Sequence, residues 1–170
     1  MSIASNLTRI RQHVSEMQVE AKNAANAIRL IAVTKKQPVN VILEAILQQQ
    51  RDFAESYIAE AIPKIVSLQH YDLTWHFIGR IQSNKIALIG RHFSWVHSLC
   101  QLKHAERLNI ICSTNQKPLN VCVQVNIDGD PAKAGIDPAQ CNDFIDAIIE
   151  LPSLKFRGFM CMPQKSQDLE

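Results

Sequence analysis

The feature that most restricts the fold is a regular alternation of short apolar segments of strand type with segments of helical periodicity. Strand-type segments are predicted at residues 28–33, 51–56, 73–79, 92–98, 119–127 and 154–162. Helical spacing of apolar residues follows the first five of them, over about residues 38–50, 57–68, 85–89, 101–113 and 137–149. Repeated strand–helix units require parallel strands joined by right-handed crossovers, so an α/β fold is predicted.

Two arrangements of such a sheet fit the pattern: an open doubly wound sheet and part of a (β/α)8 TIM barrel. No Gly-x-Gly-x-x-Gly motif follows the first strand, which argues against the dinucleotide-binding form of the open sheet. A complete barrel has eight strands and typically about 250 residues. In a chain of 170 residues with six predicted strands, the barrel interpretation leaves two strands unaccounted for.

The N-terminal segment is predicted to form an amphipathic helix over about residues 2–24. Its apolar residues Ile3, Leu7, Ile10, Val14 and Met17 recur at steps of three and four. Charges of both signs lie on the remaining positions, which favours packing on the rest of the protein over binding to a membrane surface. We therefore expect residues 1–170 to form a single domain that includes this helix.

Charge and composition exclude several classes of partner. The formal net charge is +2, with 46% hydrophobic and 20% charged residues, and basic residues are not clustered. Neither nucleic acid nor an anionic membrane surface is therefore an expected partner. The sequence has no apolar run of transmembrane length and no signal-peptide pattern at its start, so a cytoplasmic location is predicted.

Cysteine usage agrees with that location. The five cysteines are odd in number and widely spread, which is typical of reduced thiols rather than of a disulfide framework. His92, His97, Cys100 and His104 were considered as metal ligands, but their spacing fits no common zinc pattern. No metal site is predicted.

Lys35 is the first candidate for chemistry, because it directly follows the buried strand-type run Leu30–Val33. Pro38 then suits the first turn of a helix, so Lys35 lies at the carboxyl edge of the sheet, where α/β folds build their sites. One interpretation is an ammonium group that extends into solvent. The other is an amine that forms an imine with a carbonyl, favoured by desolvation and by the like charge of Lys36. Strand alternation predicts that only one of the two lysines faces into a barrel.

The densest cluster of polar and aromatic residues is Trp75–Lys85. His76 at the end of a strand, and Gln82, Ser83 and Asn84 at the start of a helix, have the chemistry to orient a ring or bind an anion through free backbone amides. The alternative is structural, with His76 as a satisfied core histidine and Ser83 or Asn84 as a helix cap. Residue chemistry alone favours this structural alternative.

Motifs at the ends of the predicted strands resemble those of one protein family. They are Ala32–Lys35 with Pro38, Phe53–Tyr57, Trp75–Gly79 with Gln82, Asn84 and Lys85, Val125–Ile127 with Lys133 and Gly135, and Arg157–Met160 with Met162 and Pro163. From about residue 5 to residue 165, the chain resembles the pyridoxal phosphate (PLP) homeostasis proteins, the YggS/PROSC family. Their fold is like the N-terminal barrel of alanine racemase.

The resemblance implies a fold, a cofactor and a role. The fold would be an alanine racemase N-terminal-like (β/α)8 barrel with about six of its eight strands present. The cofactor would be PLP, held as an internal aldimine on Lys35, with further contacts from Ser56, His76, Asn84 and Met160. The role would be intracellular PLP (vitamin B6) homeostasis without catalytic turnover. Ser56 stands where the family usually has asparagine, so one polar contact near the cofactor ring is expected to weaken.

The resemblance also implies a truncated chain. The family continues for about two more strand–helix units, which carry the residues that hold the PLP phosphate. We therefore expect the first and sixth strands to be exposed edges, open to self-association or to a C-terminal fragment. Two alternative functions stay open: a PLP enzyme such as an amino-acid racemase, which needs a second acid/base group, and an inactive barrel fragment that pairs with another chain.

Overall fold

A computed structural model describes residues 2–20 and 28–163 of the chain. Its helices are α1 (Ile3–Glu20), α2 (Val39–Leu47), α3 (Ile58–Ser67), α4 (Ile86–His92), α5 (Leu102–Thr114) and α6 (Cys141–Ile149), and a 3₁₀ turn at Pro138–Gln140 precedes α6. Its strands are β1 (Ala32–Val33), β2 (Asp52–Glu55), β3 (Thr74–Phe77), β4 (Trp95–Leu99), β5 (Leu119–Gln124) and β6 (Leu154–Met160). Strands and helices alternate from β1 onward, as predicted.

The order of the strands decides between the two predicted arrangements. All neighbouring strands pair in parallel, and their order in the sheet is their order in the chain, from β1 to β6. A doubly wound sheet reverses direction and places a later strand beside the first. Sequential order is instead that of a (β/α)8 barrel, of which the described residues form six strands. The partial-barrel prediction is confirmed.

One face of the sheet packs against the helices, and the other is the inner face. Residues paired in register across parallel strands point to the same side, so the pairs define the two faces. Phe53 and Trp75 are paired on the helix side, with their ring centroids 5.7 Å apart. The largest fully buried side chains fill the space between sheet and helices and include Phe53, Phe77, Phe93, Ile42, Leu68, Ile86, Ile89, Leu99, Leu108, Leu119 and Ile148.

Prolines behave differently from the prediction in two helices. Pro38 occupies the N-cap of α2 rather than its first turn, with a φ of −74° that suits either position. Pro63, inside the helix predicted over residues 57–68, removes a backbone donor and so predicts a kink or a late start, but α3 already begins at Ile58 and continues through Pro63. Pro63 and Ala59 are both exposed, so water can reach the Ala59 carbonyl that lacks its helical donor. The predicted late start is therefore wrong.

Helix and strand ends also differ in a few places. The prediction of a helix to about residue 24 falls partly on residues 21–24, which lie outside the described residues. The fourth strand was predicted to begin at His92, but α4 includes His92 and β4 begins at Trp95. Phe93 does not start the strand because it is fully buried between these elements, edge-to-face against Phe77 at 5.3 Å. The predicted fifth strand ends early, and Val125 forms only an isolated bridge.

Asp137 followed by Pro138 predicts an N-cap before α6, and the structure confirms it. The Asp137 carboxylate accepts a hydrogen bond of 2.8 Å from the backbone N–H of Ala139, and the Gln140 side chain accepts one of 3.4 Å from the N–H of Asp137. These reciprocal bonds form a capping box, with Pro138 as the first residue of the 3₁₀ turn.

Gly79 provides a test of how the carboxyl ends of β2 and β3 pack. A Cβ atom at Gly79 would lie 2.0 Å from the backbone oxygen of Ser56. We predict that Gly79→Ala lowers the free energy of unfolding by about 2–4 kcal/mol, because two backbones must separate. Gly129→Ala is the control, since Gly129 has open space around it and a φ of +64°, and should cost about 1 kcal/mol. Urea unfolding followed by circular dichroism measures both, and equal losses would contradict this packing.

Candidate functional site

The inner face of the sheet carries a row of side chains that the strand register places side by side. Val33, Ala54, His76, Trp95 and Asn120 are paired in succession from β1 to β5. The carboxyl ends of parallel strands lie at one edge of the sheet, so residues that follow this row approach that edge. We call this row the inner row.

Lys35 lies beyond the end of β1, at the carboxyl edge. The strand ends at Val33, and Lys35 and Lys36 form a turn in which Lys36 has a φ of 62°. Both lysines are exposed, so the prediction from strand alternation does not apply to them. Within residues 2–20 and 28–163, the Lys35 ammonium makes no hydrogen bond or ion pair. Lys35 therefore presents an unpaired primary amine to solvent, without the desolvation expected for it.

A buried charge cluster lies beneath the Lys35 turn. Lys64 of α3 donates hydrogen bonds to Glu55 at 2.8 Å, to Glu60 at 2.5 Å and to the backbone carbonyl of Thr34 at 2.8 Å. The Thr34 hydroxyl donates to the same Glu55 oxygen at 2.8 Å. Glu60 also accepts a bond of 2.6 Å from the backbone N–H of Lys36. We call Glu55, Glu60 and Lys64 the Lys64 cluster.

Lys64 is charged although its side chain is only 6% exposed. Burial lowers the pKa of Lys64, but the hydrogen bonds to Glu55 and Glu60 outweigh burial and hold the pKa above its ordinary value. The hydrogen bond from Lys64 likewise holds the pKa of Glu60 below its usual range. Sequence reasoning missed this cluster. The available signals were the glutamate inside the apolar β2 segment and the i,i+4 spacing of Glu60 and Lys64.

His76 lies on the inner row and is 1% exposed. Its Nε2 atom lies 3.0 Å from an oxygen of Asp52, and its Nδ1 atom lies 2.9 Å from Nε2 of His97. The rings of His76 and His97 both stack on Trp95, with centroids 5.5 Å and 5.7 Å away. The structure therefore agrees with the alternative that His76 is a satisfied core histidine.

Both histidines are neutral near pH 7. Burial lowers the pKa of His76 despite the opposing effect of Asp52, and burial together with His76 lowers the pKa of His97 to about 4. Because the Asp52 carboxylate only accepts hydrogen bonds, we infer that the proton of His76 is on Nε2. Its Nδ1 atom is then an acceptor, so His97 carries its proton on Nε2. Asp52, which also pairs with Arg29 at 3.2 Å, thus orders both tautomers.

The other predicted site residues lie at the same edge but are not all together. Ser56, just after β2, lines a cavity of about 290 Å³ together with Tyr57, Gln82 and Lys85. Met160, the last residue of β6, is half-buried and paired in register with Gln124. Asn84 is exposed in the connection between β3 and α4. Within the described residues, no hydrogen bond joins the side chains of Ser56, Asn84 or Met160 to Lys35.

A second cavity at this edge was not predicted. It has a volume of about 360 Å³ and lies between the connections that follow β3, β4 and β5. Arg80, Ser98, Cys100, His104 and Gln124 line it, together with residues 131–135. Burial raises the pKa of the Cys100 thiol, so Cys100 is protonated at neutral pH.

A metal-binding cluster and a membrane-spanning helix are both absent from the described residues. In the ranges 2–20 and 28–163, no group of three or more His, Cys, Asp or Glu side chains is arranged to hold a metal ion. Within those same ranges, no helix has the length and apolar character needed to cross a membrane.

The sequential parallel sheet, with a lysine after its first strand, is part of a (β/α)8-type barrel domain. The sequence matches the family described as alanine racemase, N-terminal domain, over residues 3–170. The pyridoxal phosphate homeostasis protein of Pasteurella multocida (strain Pm70) is 39% identical, over 99% of this chain and 73% of the relative. That of Escherichia coli (strain K12) is 40% identical, over 95% and 70%. The chain belongs to the family of pyridoxal phosphate homeostasis proteins.

Solved structures agree with this assignment. PipY of Synechococcus elongatus PCC7942, in a structure with PLP bound, is 32% identical with a TM-score of 0.77, covering 91% of this chain and 73% of PipY. Alanine racemase from Corynebacterium glutamicum is 16% identical with a TM-score of 0.58, covering 78% and 38%. The second likeness shows the fold alone.

The depressed pKa of His97 predicts a pH dependence of stability. The pKa is about 4 in the folded chain against an ordinary value of 6.5, so between these values the unfolded chain binds a proton that the folded chain does not. The free energy of unfolding should therefore fall as pH decreases from about 6.5 to about 4, and His97→Gln should make that fall shallower.

Urea unfolding at closely spaced pH values measures this difference. His70→Gln is the matched control, because His70 is exposed on the surface, and it should keep the wild-type profile. Parallel profiles for wild type and His97→Gln across this interval would disprove the assignment.

Proposed function

We propose that this chain binds pyridoxal 5'-phosphate in PLP homeostasis and holds it covalently through Lys35. The observation that carries the proposal is the free, exposed amine of Lys35 at the carboxyl edge of the sheet, on a turn anchored by the Lys64 cluster. The names of the relatives and the PLP-bound structure of PipY support the choice of cofactor. The cofactor supplies an aldehyde, and a primary amine is the protein group that bonds to it.

The residues at this edge fit such a cofactor. Lys35 is unpaired, which leaves its amine available. Ser56 and Asn84 follow the neighbouring strands and present a hydroxyl and an amide, groups that hydrogen-bond to ring substituents or phosphate oxygens. Met160 ends β6 with a thioether that suits packing against a ring.

His76 has a different place in this proposal. Both of its ring nitrogens already have protein partners, Asp52 and His97. We therefore assign His76 a structural role in the inner face, without a hydrogen bond to the cofactor.

Substitution of Lys35 tests the proposal directly. Wild type incubated with PLP and reduced with borohydride should carry one phosphopyridoxyl group on Lys35, located by peptide mass spectrometry. Lys35→Ala should lose the absorbance change on PLP addition and the trapped adduct. Lys36→Ala is the matched control, since it removes the neighbouring charge in the same turn and should keep the adduct. An equal amount of trapped adduct in the Lys35→Ala protein and in wild type would overturn the assignment of Lys35.

The same preparation separates binding from enzymatic turnover. If the protein is a carrier of PLP, an L-amino acid mixed with the loaded protein should keep its optical activity. Racemisation requires a second acid/base group on the opposite side of the cofactor. Loss of optical activity in wild type but not in Lys35→Ala would favour the racemase alternative.

We also propose a partner for the edges of the sheet. Within the described residues, β1 and β6 each have one neighbour, and Val33, Phe159 and Met162 are at least half exposed beside these edges. Parallel strands with an open side offer unpaired backbone groups to another strand. The chain spans 70% to 73% of the two bacterial relatives, whose C-terminal part is the candidate partner.

Light scattering coupled to size-exclusion chromatography tests this partner. We expect the chain mixed with the C-terminal quarter of the Escherichia coli relative to elute as a one-to-one complex. Phe159→Lys adds a charge beside the β6 edge and should weaken that complex. A dimer of the chain alone, unchanged by the fragment, would instead favour self-association.

A cytoplasmic site of action completes the proposal. All five cysteines are free thiols, in agreement with a reducing compartment.

A further inference from the structure

The two peptide groups that flank Lys35 are both held by the Lys64 cluster. The carbonyl of Thr34, on the N-terminal side, accepts a hydrogen bond of 2.8 Å from Lys64. The backbone N–H of Lys36, on the C-terminal side, donates one of 2.6 Å to Glu60. Glu60 and Lys64 are themselves bonded, so one continuous set of charges holds both ends of the Lys35 residue.

The cluster is anchored deep in the structure. Glu55 is 0% exposed and Lys64 is 5% exposed. All three ammonium protons of Lys64 have acceptors: Thr34, Glu55 and Glu60. Buried lysines are rare unless they are paired or functional, and an uncharged apolar residue would fill the same space at less cost in desolvation. These charges fix the position of the Lys35 turn, because they bond to the backbone on both sides of Lys35.

The turn needs such an anchor, because Lys36 has a φ of 62°. Few residues other than glycine adopt this left-handed conformation, which is less favourable for a side chain with a Cβ atom. The Glu60 bond to the Lys36 N–H offsets that strain and keeps the chain from relaxing into another turn. A different turn would change the position of the Lys35 side chain at the carboxyl edge of the sheet.

We propose that Lys64 and Glu60 are positioning residues that hold the backbone on both sides of Lys35 and so fix the position of its amine. This inference rests on the proposed function, in which Lys35 bonds to PLP. Neither residue touches the cofactor in this assignment, and both act through the backbone on either side of Lys35. A purely structural role would instead change the amount of folded protein and leave the geometry of the bound cofactor unchanged.

Glu60→Ala is the first test, since the Glu60 side chain is 29% exposed and its loss leaves the Glu55–Lys64 pair in place. Amide hydrogen exchange at Lys36, read by NMR without PLP, should become faster. With PLP present, the equilibrium constant for attachment should fall about fivefold, which corresponds to the net free energy of one ordinary hydrogen bond. Visible circular dichroism per bound cofactor should also fall, because the cofactor loses a fixed orientation. Glu106→Ala, at an exposed glutamate of α5, is the matched control.

The second test removes the buried charges together. Lys64→Met alone leaves the Glu55 carboxylate without its cation and can unfold the chain, so Glu55→Gln is combined with it. The double variant should bind PLP about tenfold more weakly, with a reduced visible signal per bound cofactor. Lys103→Met, which removes an exposed lysine of α5, is its control.

The outcomes separate the two proposals. Wild-type attachment together with unchanged circular dichroism per bound cofactor in both variants would overturn the positioning role and leave the proposed function intact. Absence of the Lys35 adduct in wild type would overturn the proposed function and, with it, positioning toward PLP. In that case faster Lys36 exchange in Glu60→Ala would show only that the turn is anchored as described.

Discussion

The ion pair between Glu55 and Lys64 is the interaction on which the candidate site depends. It joins the end of β2 to α3, and through Thr34 it joins both to the end of β1. A buried ion pair is costly to desolvate and contributes little to stability on balance, but breaking one partner of it is strongly unfavourable. Such a pair therefore defines one arrangement of strand, helix and turn more sharply than apolar packing would. The Lys35 side chain is exposed, whereas the Glu55–Lys64 pair beneath its turn is buried.

The inner face is also ordered by buried polar side chains that bond to one another, but these side chains carry less charge. Asp52, His76 and His97 form a chain of hydrogen bonds across β2, β3 and β4, stacked beside Trp95. Each ring is neutral near pH 7, so the polar groups are satisfied without placing net charge against the aromatic rings. An apolar and aromatic wall with a few ordered polar atoms is typical of cofactor sites.

The sheet edges show what a sequential barrel requires. Each strand of the described sheet is covered by a helix on one side and by its neighbours along the sheet, and β1 and β6 lack one neighbour. Phe159 is paired with the buried Val123 and so points to the helix side, yet it is 53% exposed. Apolar side chains are thus exposed at this edge of the described sheet, where the proposed partner would pack.

The sequence by itself determined the order and type of the elements, the parallel sheet and the place of Lys35 after the first strand. Those features depend on local periodicity and on short-range rules such as the Asp137 cap. The family motifs then reduced two possible sheets to the barrel. Element ends were less predictable, because the burial of Phe93 between α4 and β4 depends on Phe77, which lies on another strand.

Only the tertiary structure decided the surroundings of the site residues. Whether His76 meets a cofactor or other side chains depends on Asp52 and His97, which are 24 and 21 residues away in sequence. In the sequence, Lys64 is one more charged residue of an amphipathic helix. Only the fold places it under Thr34, which lies 30 residues earlier. Such contacts arise from strand register and helix packing, and no local pattern encodes them. The sequence therefore identified Lys35 as the candidate lysine, and the tertiary structure identified what holds its backbone.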